Sequence, residues 1–146
     1  LTTETHYRKL ENLFYSALVQ KLYPGINISI KQAICTITYP VNTAHFHGGN
    51  ALHGAVYFKL MDDAAYFAVS SIELSTFVVT AAFEIKLLKP ITKGTISAIG
   101  KLDYAKGKVY TATAELFDEK GAILATGKGT FIKTSQTLDS LTGYAL

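Results

Sequence analysis

The chain has 146 residues, 49% of them hydrophobic and 17% charged, with a formal net charge of +3. This predicts one domain (1–146) with a sizeable core and excludes a disordered chain. The lysines are scattered, which argues against a nucleic-acid groove and leaves an anionic small ligand compatible.

Residues 4–22 place Leu10, Leu13, Phe14, Ala17, Leu18 and Leu22 at i, i+3, i+4 spacing. One amphipathic helix is predicted, capped by Thr2 or Thr3 and ended by Pro24-Gly25. Its charges, Glu4, Arg8 and Glu11, do not fit a signal-peptide core. No apolar run approaches the roughly 20 residues of a membrane span. The expectation is therefore a soluble cytoplasmic protein with no membrane partner. Ile26, Ile28 and Ile30 then alternate with Asn27, Ser29 and Lys31, a strand pattern. Gln32 falls on the isoleucine face, so a bulge is expected there before residues 34–38 continue the strand. Cys35 lies in this run and, being the only cysteine, allows neither a disulfide nor a cysteine metal centre.

Residues 40–52, rich in Asn, His and Gly, read as a loop. From 53 to 74 the chain is apolar on nearly all faces, interrupted within 55–69 only by Lys59, Asp62 and Asp63. Such a helix is buried, and a carboxylate on it needs a partner or a task. Four strands follow at 77–88, 95–105, 108–117 and 123–133, with hairpin turns at Lys106-Gly107 and 118–121. The tail from Thr134 is polar and expected to be loosely attached. This order predicts an α+β fold, an antiparallel sheet wrapped around one central helix. So apolar a surface also favours an oligomer.

The chemistry concentrates at the start of the central helix. His53-Gly54-Ala55 precede Asp62, which lies nine residues after His53; Thr80 lies eighteen after Asp62 and ten before Pro90. These spacings resemble the PaaI-like branch of hotdog acyl-CoA thioesterases, whose members carry His-Gly-Gly, an acid nine residues after the His, and a downstream Ser or Thr. The resemblance spans residues 26–133, with Ala55 in place of the second Gly. A literal His47-Gly48-Gly49 also occurs, but Val56 stands nine residues beyond it and has no acid–base chemistry. Two further positions, where the family often has Asn and Gly, hold His47 and Asn50. The loop is thus rebuilt where substrate specificity would lie.

The resemblance implies hydrolysis of an acyl-CoA thioester to free acid and CoA, at a site shared across a dimer or a dimer of dimers. Asp62 would be general base or nucleophile. The Gly54 and Ala55 amides, at a helix N-terminus, would receive the oxyanion. His53 would fix the loop or substrate, and Thr80 would reach the partner's Asp62. Asp63 points about 100° around the helix, so at most one of the pair should face the site. His47, Asn50, Tyr57, Tyr66, Lys106, Lys108 and Lys133 are candidate substrate contacts, the lysines for CoA phosphates. No cofactor is expected beyond the CoA of the substrate. No metal is expected either, since no acid stands at ligand spacing from His45, His47 and His53.

Plainer readings remain open at each position. Asp62 alone could be a buried acid satisfied by hydrogen bonds, Thr80 a strand residue, the tyrosines packing groups and the lysines solvated. A non-catalytic acyl-CoA or acyl-ligand binding protein would keep the fold without turnover. A hotdog hydratase is disfavoured, because no acid shortly precedes any loop histidine.

Overall fold

Thr2 caps the first helix, accepting the Thr5 amide in the computed structural model, which describes residues 1–146. This helix, α1, runs Thr3–Ser16 and buries His6, Tyr7, Leu10 and Phe14. It stops well before residue 22. Ala17 is extended and a short 3-10 helix, Leu18–Leu22, follows. The i, i+4 pattern misled here, because Leu18 and Leu22 are exposed and meet no core. Nothing on that face rewards continuing the helix.

Strands β1 (Asn27–Lys31) and β2 (Ile34–Pro40) form an antiparallel hairpin, with Lys31 opposite Ile34. The expected single bulged strand is therefore two strands. The turn contains neither Gly nor Asn, so it left no local signal. Ala33 adopts φ 61°, a left-handed conformation costly for an alanine. Tertiary bonds hold it: its amide donates to Ser71 Oγ at 2.8 Å, and its carbonyl accepts the Leu102 amide at 3.0 Å.

The central helix α2 (Gly54–Ser70) begins at the predicted place but ends at Ser70 rather than 74. There Glu73 turns the chain, its Oε1 accepting the Ser75 and Thr76 amides. Strands β3 (Thr76–Leu87), β4 (Thr95–Lys106), β5 (Val109–Phe117) and β6 (Ile123–Thr137) complete one antiparallel sheet. Its order is β1-β2-β4-β5-β6-β3, and α2 lies in its concave face. Gly100 on β4 is required there, since a Cβ would collide with the Ala64 backbone. At the sheet's free edge β3 leaves Val79 and Leu87 exposed, and its register with β6 shifts between Thr80 and Ala82.

The C-terminal tail is not loose. Residues to Thr137 extend β6, and Leu138 and Tyr144 are buried. Fully buried His6 donates from Nε2 to the Ser70 carbonyl (2.8 Å), and its Nδ1 accepts the Tyr144 hydroxyl (2.6 Å). Asn12 Nδ2 donates to the Ala145 carbonyl at 2.7 Å. Aromatic burial at Tyr144 and these partners outweigh the polar composition that suggested loose attachment. No helix is long and apolar enough to cross a membrane.

Candidate active site

Asp62 sits midway along α2, and β3 runs back past it. Tyr66 donates its hydroxyl to the Val78 carbonyl (2.7 Å), and Thr80 donates Oγ1–H to Asp62 Oδ1 (3.0 Å). Thr80 thus reaches the acid of its own chain rather than that of a partner. The reason is topological: after the Glu73 turn, each step forward along β3 moves back along α2. Burial raises the Asp62 carboxyl to about 6; the Thr80 bond opposes this, the Asp63 charge adds to it, and Lys59 opposes it. Such a group is half-titrated at about pH 6 and largely ionised at neutrality, within the range that suits a general base.

Both acids face the same cavity, contrary to the one-acid expectation. It measures about 490 Å³ and is lined by Asp62, Asp63, Tyr66, Thr80 and apolar side chains of α1, α2 and β3. A 100° separation on the helix is small against an opening this wide. Asp63 is engaged, however: its Oδ2 pairs with Lys59, which also donates to Gln20 Oε1 at 2.8 Å. Burial raises the Asp63 carboxyl, and Lys59 counteracts it. Asp62 Oδ2 has no such partner. Burial also lifts the Tyr66 hydroxyl far above the usual tyrosine range, so it remains a donor.

The start of α2 opens onto a second cleft of about 340 Å³, lined by His47, Gly54, Tyr57, Leu87, Lys89 and Pro90 among others. His53 is the N-cap, its Nδ1 accepting the Ala55 amide at 3.0 Å. Of the two amides expected to receive an oxyanion, Ala55's is therefore occupied. Gly54's has no partner within the chain. A Cβ at Gly54 would lie 3.3 Å from Leu87 Cδ1, so the approach is already narrow. Gly54 and Asp62 do not share a cavity: eight residues at about 1.5 Å per residue separate them by roughly 12 Å along the helix.

His47 lines this second cleft with Nδ1 committed to the Gly49 amide at 2.9 Å. Asn50, at φ 64°, closes the 47–50 turn by donating its amide to the His47 carbonyl and lines neither cavity. The literal His-Gly-Gly is thus a tight turn. Tyr57 is buried, donates to the Lys89 carbonyl at 2.8 Å and contributes to the cleft wall. Lys106 and Lys108 are exposed beside the β4–β5 hairpin and line neither cavity.

Lys133 is not a solvated lysine waiting for phosphate. It pairs with buried Glu73 at 2.7 Å, and Tyr110 donates to the same carboxylate oxygen at 3.0 Å. Burial pushes the Glu73 carboxyl up, but bonds from Lys133, Ser75 and Tyr110 outweigh it and hold the group at about 2. Glu73 was missed in the sequence, although a lone acid closing an apolar helix was a usable signal. Lys89 was missed as well, with no pattern to mark it. No cluster of three His, Cys, Asp or Glu side chains could hold a metal ion.

The thioesterase superfamily model matches residues 49–125, just over half of the chain. The chain belongs to the thioesterase superfamily. The match includes Gly54, Asp62 and Thr80, so the free amide, the acid and its hydroxyl partner all lie on the superfamily's common segment. Among solved structures, the PaaI protein of E. coli, from the phenylacetic acid degradation operon, has the same fold. Its TM-score is 0.83 at 20% identity, over 92% of this chain and 97% of PaaI. A thioesterase family protein of Silicibacter pomeroyi gives 0.79 at 20% identity, over 88% and 97%. A thioesterase of Haemophilus influenzae gives 0.75 at 19%, over 88% and 90%. The hotdog architecture of these proteins is thus that of this thioesterase-superfamily chain. No curated protein matches it.

Proposed function

We propose that the protein hydrolyses acyl-CoA thioesters to free acid and CoA, at sites built from two copies of the chain. The observation that carries this reading is Asp62: one free carboxylate oxygen, a carboxyl raised to about 6, and a 490 Å³ apolar cavity beside it. Asp62 takes a proton from water as the water oxygen bonds to the thioester carbon. A backbone amide at a helix N-terminus stabilises the resulting oxyanion. The C–S bond then breaks, CoA leaves as thiolate, and the proton passes to the sulfur.

The free Gly54 amide is the donor suited to that oxyanion, but in one chain it stands about 12 Å from the acid along the helix. A thioester carbonyl reaches both only if the amide belongs to the partner's Gly54. The exposed edge strand β3 offers the means, since two such edges can pair and continue the sheet. Thr80 then orients the acid of its own chain toward the shared carbonyl.

A binding-only reading draws on one observation, that the His53 cap leaves a single free amide where two were expected. A free-thiol assay over a panel of acyl-CoAs separates the two. Release of CoA that disappears in Asp62→Asn supports hydrolysis. Tight acyl-CoA binding by wild type without thiol release from any panel member overturns it.

A further inference from the structure

Asp62 and Thr80 lie inside the superfamily segment, yet the wall facing them across the cavity lies outside it. That wall is made by Leu13, Phe14, Ala17, Val19 and Gln20 from the N-terminal segment and by Leu141 from the tail. We infer that this terminal wall is the acyl-selecting surface of the site: the acyl group lies between it and α2, and Ala17, Val19 and Leu141 limit its length and bulk. The inference rests on the acyl-CoA reading and adds the residues that choose among acyl groups.

Three observations support it. The cavity is of ligand size, within the about 300–1,000 Å³ typical of small-molecule sites, and ten of its fifteen lining residues are hydrophobic. Beyond the break in α1 at Ala17, the short 3-10 helix carries Val19 and Gln20 onto the same cavity. And the wall is fastened at both ends: Tyr15 and Glu11 of α1 accept the Ile28 and Ile30 amides of β1, and the tail docks on α1. Tyr144 bonds His6, Ala145 bonds Asn12, and Gly143 packs so closely on Ser16 and Leu13 that no Cβ fits there. Gln20 is likewise tied to α2 through Lys59. A tail anchored on α1 brings Leu141 to the rim of a cavity that the superfamily segment alone would leave open.

Burying a methylene is worth about 0.8 kcal/mol, roughly fourfold in affinity, so an apolar wall of this kind should produce a steep chain-length profile. Ala17→Phe narrows the cavity and Leu141→Ala widens it. The measurement is kcat/KM for straight-chain acyl-CoAs from acetyl to palmitoyl, together with calorimetric binding of the same series to each variant in an Asp62→Asn background. Ala17→Phe should lower the ratio of long-chain to acetyl values by about tenfold or more, the worth of two methylenes, and Leu141→Ala should move the optimum to longer chains. Uniform changes along the series, or parallel profiles for all variants, would overturn the wall. Chain-length-dependent binding shifts in a protein that hydrolyses none of the series would keep the wall and remove the hydrolase reading.

Discussion

Thr80 on the edge strand donates its hydroxyl to Asp62 on the central helix, 3.0 Å away within the same chain. The acid's orientation is therefore coupled to β3, an edge strand that pairs only with β6. Whatever covers that edge also steadies the carboxylate.

Replacing Asp62 by Asn should lower turnover by about 100-fold or more, the usual worth of a general base, while folding and CoA affinity persist. Asp63→Asn should cost far less, because that carboxylate is already paired with Lys59. Steady-state kinetics and calorimetry on both variants check this. Equal losses would mean that the two acids share the task.

With the Asp62 carboxyl at about 6, kcat should rise with pH through that value as the base ionises. Thr80→Val removes a bond that favours the ionised form, so this limb should move to higher pH, with more activity lost at pH 6 than at pH 8. The stability effect has a definite sign. A carboxyl raised from 3.8 binds its proton more tightly in the folded state. Its contribution is present below the unfolded value and lost as pH rises through about 6. Asp62→Asn should therefore raise Tm relative to wild type more at pH 8 than at pH 4. An identical Tm difference at both values would contradict the raised carboxyl.

Gly54→Val should reduce turnover by about 100-fold, the range for losing one oxyanion donor, with a smaller loss of CoA affinity. The new side chain presses on Leu87 and repositions the free amide. Unchanged turnover in a folded variant would remove the oxyanion role from this helix.

A composite site predicts a dimer at micromolar concentration, and sedimentation of a stable monomer would exclude it. It also predicts complementation. Remixed Asp62→Asn and Gly54→Val subunits should regain about a quarter of wild-type activity, since half the dimers are mixed and each holds one intact site. No recovery despite subunit exchange would place both groups in one chain.

Glu73→Gln should destabilise the fold by about 1–3 kcal/mol at pH 7, the cost of disrupting a buried hydrogen-bonded group. The Glu73 carboxyl is lowered from 4.5 to about 2, so its contribution exists above the unfolded value and is lost as pH falls toward 2. Thermal melts of wild type and variant should accordingly converge in acid. A gap that stays constant from pH 7 to pH 2 would show that Glu73 acts by packing alone.

Much of the fold was legible because periodicity is a local property. The apolar continuity of residues 55–69, the alternation from 95 to 117 and the Gly107 and Gly121 turns, both at positive φ, each declare themselves within a few residues. The His53–Asp62–Thr80 spacing singled out the acid and the hydroxyl, but paired Thr80 with the acid of a partner, whereas the bond lies within one chain. The Lys31–Ile34 hairpin was hidden because its left-handed residue is an alanine, held by Ser71 and Leu102 from elsewhere in the chain.

By itself, then, the sequence determined an α+β fold with a buried helix that bears Asp62 and Asp63. Tertiary structure alone decided that α1 breaks at Ala17, that the tail docks on His6, and that Lys133 belongs to Glu73. It also decided that the Ala55 amide is taken and that Gly54 and Asp62 open onto different cavities. The reason is physical: side-chain spacing along a chain states which faces are apolar and which groups are polar. Which surface an apolar face meets, and which donor an acceptor finds, depends on distances between segments far apart in sequence.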